Sequence, residues 1–375
     1  MDKTSASHSE KDEFFMNQAI RLAEKSRGMT SPNPMVGAVL VKQGRVIAAE
    51  YHKKAGDLHA EALALLKAGP RAKGSTLYVT LEPCCHTAKK TPPCCPAILN
   101  AGIKRVVVAM RDPNPEVSGR GINSLREQGI DVVEGVLREK ALKQNEAYCK
   151  FILAGRPFVT LKCAMTLDGK IATPAGESKW ITSEKSRTEV QKMRSCSDAV
   201  LTAIGTVLAD NPRLTCRLKD AHQPARIIVD PDLDTPFDFN VTATPPRTIF
   251  VTSVQDGPKR ELFKQRGIEF ITFRGEKADL PWLMERLGSR GITSVLIEAG
   301  SSFSAAALMS GIVDKVAFFI APKIIGGSRS MPVIGGEKFL ALSEAVRITG
   351  MTVRRVGEDL MVEGYVDKEI DKQSK

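Results

Sequence analysis

The sequence predicts two α/β domains in tandem, and three observations lead there. The chain has 375 residues, 42% of them hydrophobic, with no apolar run of membrane-spanning length, which is enough for two cores of ordinary domain size. Strand-length apolar runs alternate with helix-patterned segments almost from end to end, as layered α/β architecture requires. The alternation breaks once, over 149–157, where Gly155 and Pro157 interrupt it. The expected domains are therefore 1–148 and 149–375, with the boundary inside 149–157 and a charged tail, 367–375, expected to be disordered.

In the first series, 13–26 sets Phe14, Ile20, Leu22 and Ala23 among polar residues, which predicts a helix stopping before Gly28. Ser31-Pro32-Asn33-Pro34 reads as a turn, and 35–41 and 46–50 as a strand pair reversing at Gly44. Helices are predicted at 59–68, 94–101 and 121–128, and strands at 76–80, 105–110 and 130–133. In the second series the strands are 158–165, 199–204, 226–230, 248–251, 268–273, 294–298 and 315–320, with helices at 183–194, 281–287 and 302–310. The sequence contains no internal repeat, no Gly-x-Gly-x-x-Gly fingerprint and no phosphate loop ending in Gly-Lys-Ser/Thr.

The formal charge is +11, and it is diffuse: 1–150 hold 23 Lys and Arg against 16 Asp and Glu, and 151–375 hold 31 against 27. Aromatic residues are only 5%, so stacking platforms are scarce and the surplus suits anionic small molecules better than nucleic acid. The polar, acidic N-terminus lacks a signal-peptide core, so a reducing cytoplasm is the expected compartment and no membrane partner is expected.

Cysteine placement carries more information than charge. Cys84-Cys85 and Cys94-Cys95 crowd into twelve residues, while the other four scatter at 149, 163, 196 and 216. With His59-Ala60-Glu61 opening a predicted helix and Pro83-Cys84 at a strand exit, the pattern offers zinc-type ligands. Three protein ligands leave a tetrahedral position for a water whose pKa the metal lowers towards about 7. Glu61, two residues after the histidine, can reach that water without binding the metal and move protons to a ring nitrogen and a departing amine. His-x-Glu with Pro-Cys is the signature of zinc deaminases. The competing reading is a structural zinc site with Cys85, Cys95 or His86 in the fourth position, against which Glu61 and Pro83 argue. The residues alone leave Cys94 or Cys95 as the third ligand.

In the second half, Ser294-Val-Leu-Ile-Glu298-Ala-Gly300-Ser-Ser-Phe-Ser-Ala-Ala306 ends a strand, turns at glycine and opens a helix with small hydroxyl residues. Free N–H groups at such a helix start can hold a pyrophosphate. Glu298 lies at the strand's carboxyl end, where α/β sheets present ligands.

The motifs together resemble a known family. Thr30-Ser-Pro-Asn-Pro-Met-Val-Gly-Ala38, His59-Ala-Glu61, Tyr78-Val-Thr-Leu-Glu-Pro-Cys84, Thr91-Pro-Pro-Cys94 and Arg111-Asp-Pro-Asn-Pro115 are similar to the deaminase half of the bifunctional riboflavin-biosynthesis deaminase/reductases. Lys162-Cys-Ala-Met-Thr-Leu-Asp-Gly-Lys170, Gly176-Glu-Ser-Lys-Trp-Ile-Thr182, Thr206-Val-Leu-Ala-Asp-Asn-Pro212 and Ile297-Glu-Ala-Gly300 resemble its reductase half. The match runs from about residue 12 to 365 in family order.

That resemblance implies a cytidine-deaminase-like α/β/α sandwich followed by a dihydrofolate-reductase-like α/β domain. It implies zinc-dependent deamination of 2,5-diamino-6-(5-phosphoribosylamino)pyrimidin-4-one, then NADPH-dependent reduction of the ribosyl chain of 5-amino-6-(5-phosphoribosylamino)uracil. It selects His59, Cys84 and Cys94 as ligands of one Zn²⁺ and Glu61 as the catalytic group. It also implies NADPH contacts at Ala164, Trp180, Thr206, Asp210, Pro231, Gly300, Ser301, Ser302, Phe303, Ser304, Ala305 and Ala306, with only a backbone contact expected of Pro231. Substrate contacts are implied at Ser178, Arg194, Leu214, Arg217 and Glu298, with the two arginines on the phosphate, and Asn33 and His52 would flank the deaminase pocket. Between its cysteines this chain departs from the family: the loop is one residue longer and Lys89-Lys90 replaces Gly-Arg, so Lys90 can bring charge to a phosphate but not a bidentate fork. The partners expected are phosphorylated pyrimidines, with a homodimer or larger homo-oligomer by analogy. A tRNA-editing deaminase shares the zinc chemistry but needs no hydride donor, and a zinc-stabilised binding protein would turn over neither substrate.

Overall fold

A computed structural model describes residues 9–85, 92–336 and 340–368. The chain forms two units, Met1–Gly155 and Arg156–Lys375.

The first unit opens with α1 (Glu10–Glu24), which starts before the apolar pattern suggests because the Ser9 side chain accepts from Asp12 N–H and caps it. There follow β1 (Gly37–Lys42), β2 (Arg45–Tyr51), α2 (Ala60–Ala68), β3 (Thr76–Leu81), α3 (Cys94–Asn100), β4 (Arg105–Met110), α4 (Arg120–Glu127), β5 (Asp131–Glu134), α5 (Arg138–Gln144) and α6 (Glu146–Ala154). The sheet runs β2-β1-β3-β4-β5, antiparallel on its first side and parallel from β3 to β5. Consecutive residues of β1 and β3 are buried, so helices cover both faces and the runs read as continuously apolar rather than alternating. At Gly37 α1 comes so close that a Cβ would lie 2.0 Å from the Ala19 carbonyl oxygen. Asp12 pins α1 across the sheet, accepting from Tyr78 Oη at 2.9 Å and from both Arg105 Nη atoms at 2.8 and 3.0 Å.

Two helices, α5 and α6, were not expected. Their short apolar stretches lie next to the break at Gly155 and read as linker. α6 runs continuously through residue 149 and ends at Gly155, which caps it at φ 65°.

The second unit comprises β6 (Phe158–Thr166), β7 (Lys170–Ala172), α7 (Glu184–Ser195), β8 (Ala199–Ala203), α8 (Ile204–Asp210), β9 (Ala225–Val229), β10 (Thr248–Thr252), α9 (Pro258–Gln265), β11 (Glu269–Thr272), α10 (Leu280–Gly288), β12 (Ser294–Ile297), α11 (Ser301–Met309), β13 (Lys315–Ala321), β14 (Met331–Pro332), β15 (Ile348–Val356) and β16 (Asp359–Val366). Its main sheet runs β11-β10-β9-β8-β12-β6-β13-β16-β15, parallel through β13 and antiparallel thereafter. The expected parallel strands are all present. The β15–β16 hairpin and helices α8 and α9 were missed: β15 is an edge strand with seven consecutive exposed residues, so no buried face marks it. Of the tail expected to be disordered, Asp367 bonds Arg347 through its N–H and Lys368 pairs with Asp314, while 369–375 lie outside the described residues. Among the described residues no helix is long and apolar enough to cross a membrane.

Candidate metal centre and reduction site

His59 immediately precedes α2, Cys84 follows the end of β3, and Cys94 is the first residue of α3. The Cys84 carbonyl accepts from the N–H groups of Cys94 and Cys95 at 3.0 and 3.1 Å, so the strand exit caps α3 and sets two thiols side by side. His59 Nδ1 lies 3.6 Å from Cys84 Sγ and 3.3 Å from Cys94 Sγ, and all three ligand atoms lie within 4.8 Å of one another. Tetrahedral zinc bonds of 2.0–2.3 Å require ligand atoms roughly 3.5 Å apart; this imidazole and thiol set fits such an ion. Cys95 is turned elsewhere, its Sγ donating to the carbonyls of Pro83 and Gly121. Hydrogen bonding from Cys94, with His59 adding to it, holds the Cys84 thiol well below its ordinary range, and the same shared proton pushes Cys94 up.

Glu61 occupies the first turn of α2, 3% exposed. Burial pushes its carboxyl above the usual range, with His59 opposing and Cys84 adding. Beside it, the His52 ring lies 5.7 Å from that of His59. His52 Nδ1 is 3.2 Å from the Leu58 carbonyl and Nε2 is 3.3 Å from Asn33 Nδ2, which assigns the proton to Nδ1 and leaves Nε2 to accept from Asn33. Burial lowers the His52 pKa, so the ring is neutral at pH 7. Asn145 had no sequence signal, yet it fixes the same turn, bonding both the N–H and the carbonyl of Met35. Lys89, Lys90 and His86 lie outside the described residues.

In the second unit, Glu298 follows β12 and meets Arg194 of α7 through a two-pronged ion pair of 2.6 and 3.0 Å. Lys162 of β6 lies 3.7 Å from the same carboxylate. Burial alone would raise the Glu298 pKa, but Arg194 and Lys162 outweigh it and hold it low. The sequence signal for Lys162 is a lysine inside a largely apolar strand. Arg194 also donates to the Thr215 carbonyl, which commits three of its five N–H groups. The same loop is held by Gln191, which accepts from Arg217 N–H at 2.9 Å, while the Arg217 side chain is exposed. Leu214 packs in the core with Val207 and Phe250, so its backbone is what remains for a ligand.

Thr206 Oγ1 accepts from Gly300 N–H at 3.0 Å, bringing the start of α8 to the N-terminus of α11. There Ser301 Oγ is buried without a hydrogen-bond partner, and a Cβ on Gly335 would lie 2.4 Å from it. An orphaned hydroxyl and unfilled helix N–H groups beside a glycine are what a pyrophosphate cradle needs. Along α11, Ser302 and Ala306 are exposed, Phe303 is half-buried, and Ser304 and Ala305 are buried. Asp210 pairs with Lys179 at 3.2 Å, drawing the segment with Ser178 and Trp180 to the end of α8. Trp180 is 64% exposed with the Arg187 guanidinium 4.5 Å from its ring centre. Ala164 lies half-buried on β6 opposite Phe319 of β13. Asp168, also overlooked, accepts from Thr166 Oγ1 at 2.6 Å and Gly326 N–H at 2.7 Å, tying the end of β6 to the Gly326-Gly327 loop. Pro231 fits its expectation least: its carbonyl already accepts from Ser253 N–H, Thr252 Oγ1 and Ser253 Oγ, and proline has no N–H to offer.

Comparison with known proteins adds a second line. Residues 9–110 match the family model for the cytidine and deoxycytidylate deaminase zinc-binding region, and residues 157–362 match that for the RibD C-terminal domain. The riboflavin biosynthesis protein RibD of Actinobacillus pleuropneumoniae is 44% identical, with 94% of each chain covered. That of Escherichia coli strain K12 is 39% identical, over 93% of this chain and 98% of the relative. This chain belongs to the family of bifunctional riboflavin-biosynthesis deaminase/reductases. The crystal structure of a diaminohydroxyphosphoribosylaminopyrimidine deaminase/5-amino-6-(5-phosphoribosylamino)uracil reductase from Thermotoga maritima superposes with a TM-score of 0.86 at 39% identity, covering 95% of this chain and 99% of that one. Acinetobacter baumannii RibD gives a TM-score of 0.87 at 36% identity, covering 96% and 99%. As a deaminase/reductase, the protein is a bifunctional enzyme of riboflavin biosynthesis that uses zinc for deamination and NADPH for reduction. The fold expected of a deaminase/reductase is borne out in both halves.

Proposed function

We propose that deamination takes place at His59, Cys84, Cys94 and Glu61, in the domain ending between residues 148 and 155, and reduction around Glu298 and Gly300 in the domain that follows. The observation that carries this reading is the gathering of three soft ligand atoms within 4.8 Å beside a buried carboxyl on the next helix turn. A zinc ion held by His59, Cys84 and Cys94 would supply the Lewis acidity that makes water nucleophilic near neutral pH. Glu61 takes a proton from the attacking water and delivers it to the ring nitrogen, then takes the second proton from the added hydroxyl and passes it to the amine, which leaves as ammonia as the C–N bond breaks and the C=O forms. A carboxyl whose pKa is raised by burial suits a group that must hold a proton between transfers. Neutral His52 and Asn33 flank the pyrimidine.

For reduction, NADPH supplies the hydride. The helix start at Gly300, Ser301 and Ser302, steadied by Thr206, holds its pyrophosphate, with Phe303, Ser304, Ala305 and Ala306 shaping the cradle. Ala164, Trp180 and Asp210 contact the rest of the cofactor, and Pro231 touches it only through apolar atoms. Arg217, with the two uncommitted N–H groups of Arg194, binds the substrate phosphate. Ser178, the Leu214 backbone and Glu298 contact the remainder of the substrate. The substrates and NADPH all carry phosphate, which the diffuse surplus of Lys and Arg suits without a nucleic-acid or membrane partner. We place the enzyme in the cytoplasm as a homo-oligomer, by the redox state its free thiols require and by analogy with similar enzymes.

Glu61→Gln tests the first site. It should keep one zinc per chain and lose about 10²- to 10⁴-fold in ammonia release, while NADPH oxidation with the deaminated substrate is unchanged. Release of the metal would make Glu61 a ligand and overturn the assignment. Inosine formation in tRNA without turnover of the pyrimidine phosphate would overturn the substrate.

A further inference from the structure

Glu82 is a buried carboxylate that the chemistry above leaves unused. It lies just past the end of β3, two residues before Cys84, and is 3% exposed. It is surrounded by backbone donors: its Oε2 accepts from Asp112 and Gly119 N–H at 3.2 and 2.9 Å, and its Oε1 from Gly121 and Ile122 N–H at 2.9 and 3.2 Å. Gly119 stands at the N-cap of α4 and has no side chain to cap it, so Glu82 supplies that cap from another element. The donors at Asp112 and Gly119 fix both ends of the intervening loop to the same carboxylate.

The next residue is gripped as well. A Cβ on Gly121 would lie 1.9 Å from the Pro83 carbonyl oxygen, and Cys95 Sγ donates to the carbonyls of both Pro83 and Gly121. The Cys84 carbonyl in turn caps α3 and places Cys94. From α4 through Glu82 and Pro83 to both cysteines there is one continuous set of contacts.

We propose that Glu82 is a positioning residue for deamination, fixing Cys84 and Cys94 against His59 by anchoring the peptide before Cys84 to the N-terminus of α4. This rests on the reading of those three residues as metal ligands. Four converging N–H groups need a group that only accepts; an amide would turn its own N–H₂ towards two of them. Bonds to an ionised acceptor are also roughly twice as strong as neutral ones.

The test uses the full-length chain with Co²⁺ in place of zinc. It compares wild type, Glu82→Gln, Gly121→Ala and Asp12→Asn, the last being a buried carboxylate of the same unit bonded to Arg105 and Tyr78. Glu82→Gln and Gly121→Ala should each bind one cobalt with shifted ligand-field absorption bands. By chelator competition their affinity should be weaker by about 10- to 100-fold, the range for residues that orient metal ligands. The kcat for ammonia release should fall about tenfold or more with little change in KM, while NADPH oxidation keeps its wild-type rate. Asp12→Asn should lower thermal stability yet keep the wild-type spectrum. Wild-type spectra and affinities in both Glu82→Gln and Gly121→Ala, with only a loss of stability like that of Asp12→Asn, would overturn the proposal. Should Glu82→Gln fail to fold its first unit, Gly121→Ala decides alone, since it keeps the carboxylate but forces a Cβ against the Pro83 carbonyl and the Glu82 side chain, loosening the anchor of that peptide on α4. A wild-type protein showing no thiolate-to-cobalt charge transfer would sink the ligand assignment itself, an outcome distinct from unchanged variants.

Discussion

At the metal centre, two helix starts and a strand exit bring one imidazole and two thiols within 4.8 Å, and each residue's chemistry is plain from its type. Around Glu298, the residues Arg194, Lys162 and Arg217 come from a helix, a strand and a loop, while Glu298 itself sits just past the end of β12, and each is an ordinary charged residue in a chain that is 26% charged. The first site is built on scarcity: a protein with eight cysteines and five histidines rarely clusters three of them by accident. The second is built on pairing, since Glu298 means little until Arg194 and Lys162 are seen to surround it. A site of scarce ligands should fail all at once when one is removed, and a site of paired charges should fail through what is left unpaired.

The sharpest contrast lies within the cysteine cluster. Cys94→Ala should remove the metal and with it all measurable ammonia release, whereas Cys95→Ala should keep one zinc per chain and most of the activity; metal analysis alongside an ammonia assay checks both. The opposite outcome would exchange the two residues' roles.

At the reduction site, Arg194→Ala should strand Glu298 in the interior. Breaking a buried pair from one side costs about 3–5 kcal/mol, so denaturant unfolding of the second unit should move by that order. NADPH oxidation should be lost while ammonia release persists. Equal loss of both activities would contradict two separate sites.

Acid provides a gentler version of the same test. The Glu298 pKa is lowered in the folded chain, so its contribution to stability is full above the ordinary glutamate value of 4.5 and is lost as pH falls through the lowered folded value. Unfolding of wild type should steepen with acid below about pH 4.5, and Glu298→Gln should flatten that dependence. The smallest effect belongs to Pro231→Ala. With the carbonyl already engaged by three donors, the KM for NADPH should change by no more than about twofold, of the order expected for a lost apolar contact.

Legibility followed the same divide. Parallel strands such as β4 were readable because burial on both faces leaves an uninterrupted apolar run, Val106 to Met110, and the His59, Glu61 and Cys84 pattern was readable because few other chemistries use it. The β15–β16 hairpin was not, since an exposed edge strand carries no face pattern, and α6 was hidden by the glycine that ends it. The role of Glu82 was not legible, because a carboxylate looks the same in sequence whether it faces water or four amide groups.

By itself the sequence determined the two-domain α/β organisation, the ligand chemistry of the first site and the likeness to a deaminase/reductase, all of which reside in residue type and short spacing. Only the tertiary structure decided that Cys94 faces His59 while Cys95 faces Pro83 and Gly121, that Arg194 is largely committed to Glu298 and Thr215, and that Glu82 joins the start of α4 to the segment carrying Cys84. Those facts depend on the direction of a side chain and on which distant backbone meets it, and neither is written in local periodicity.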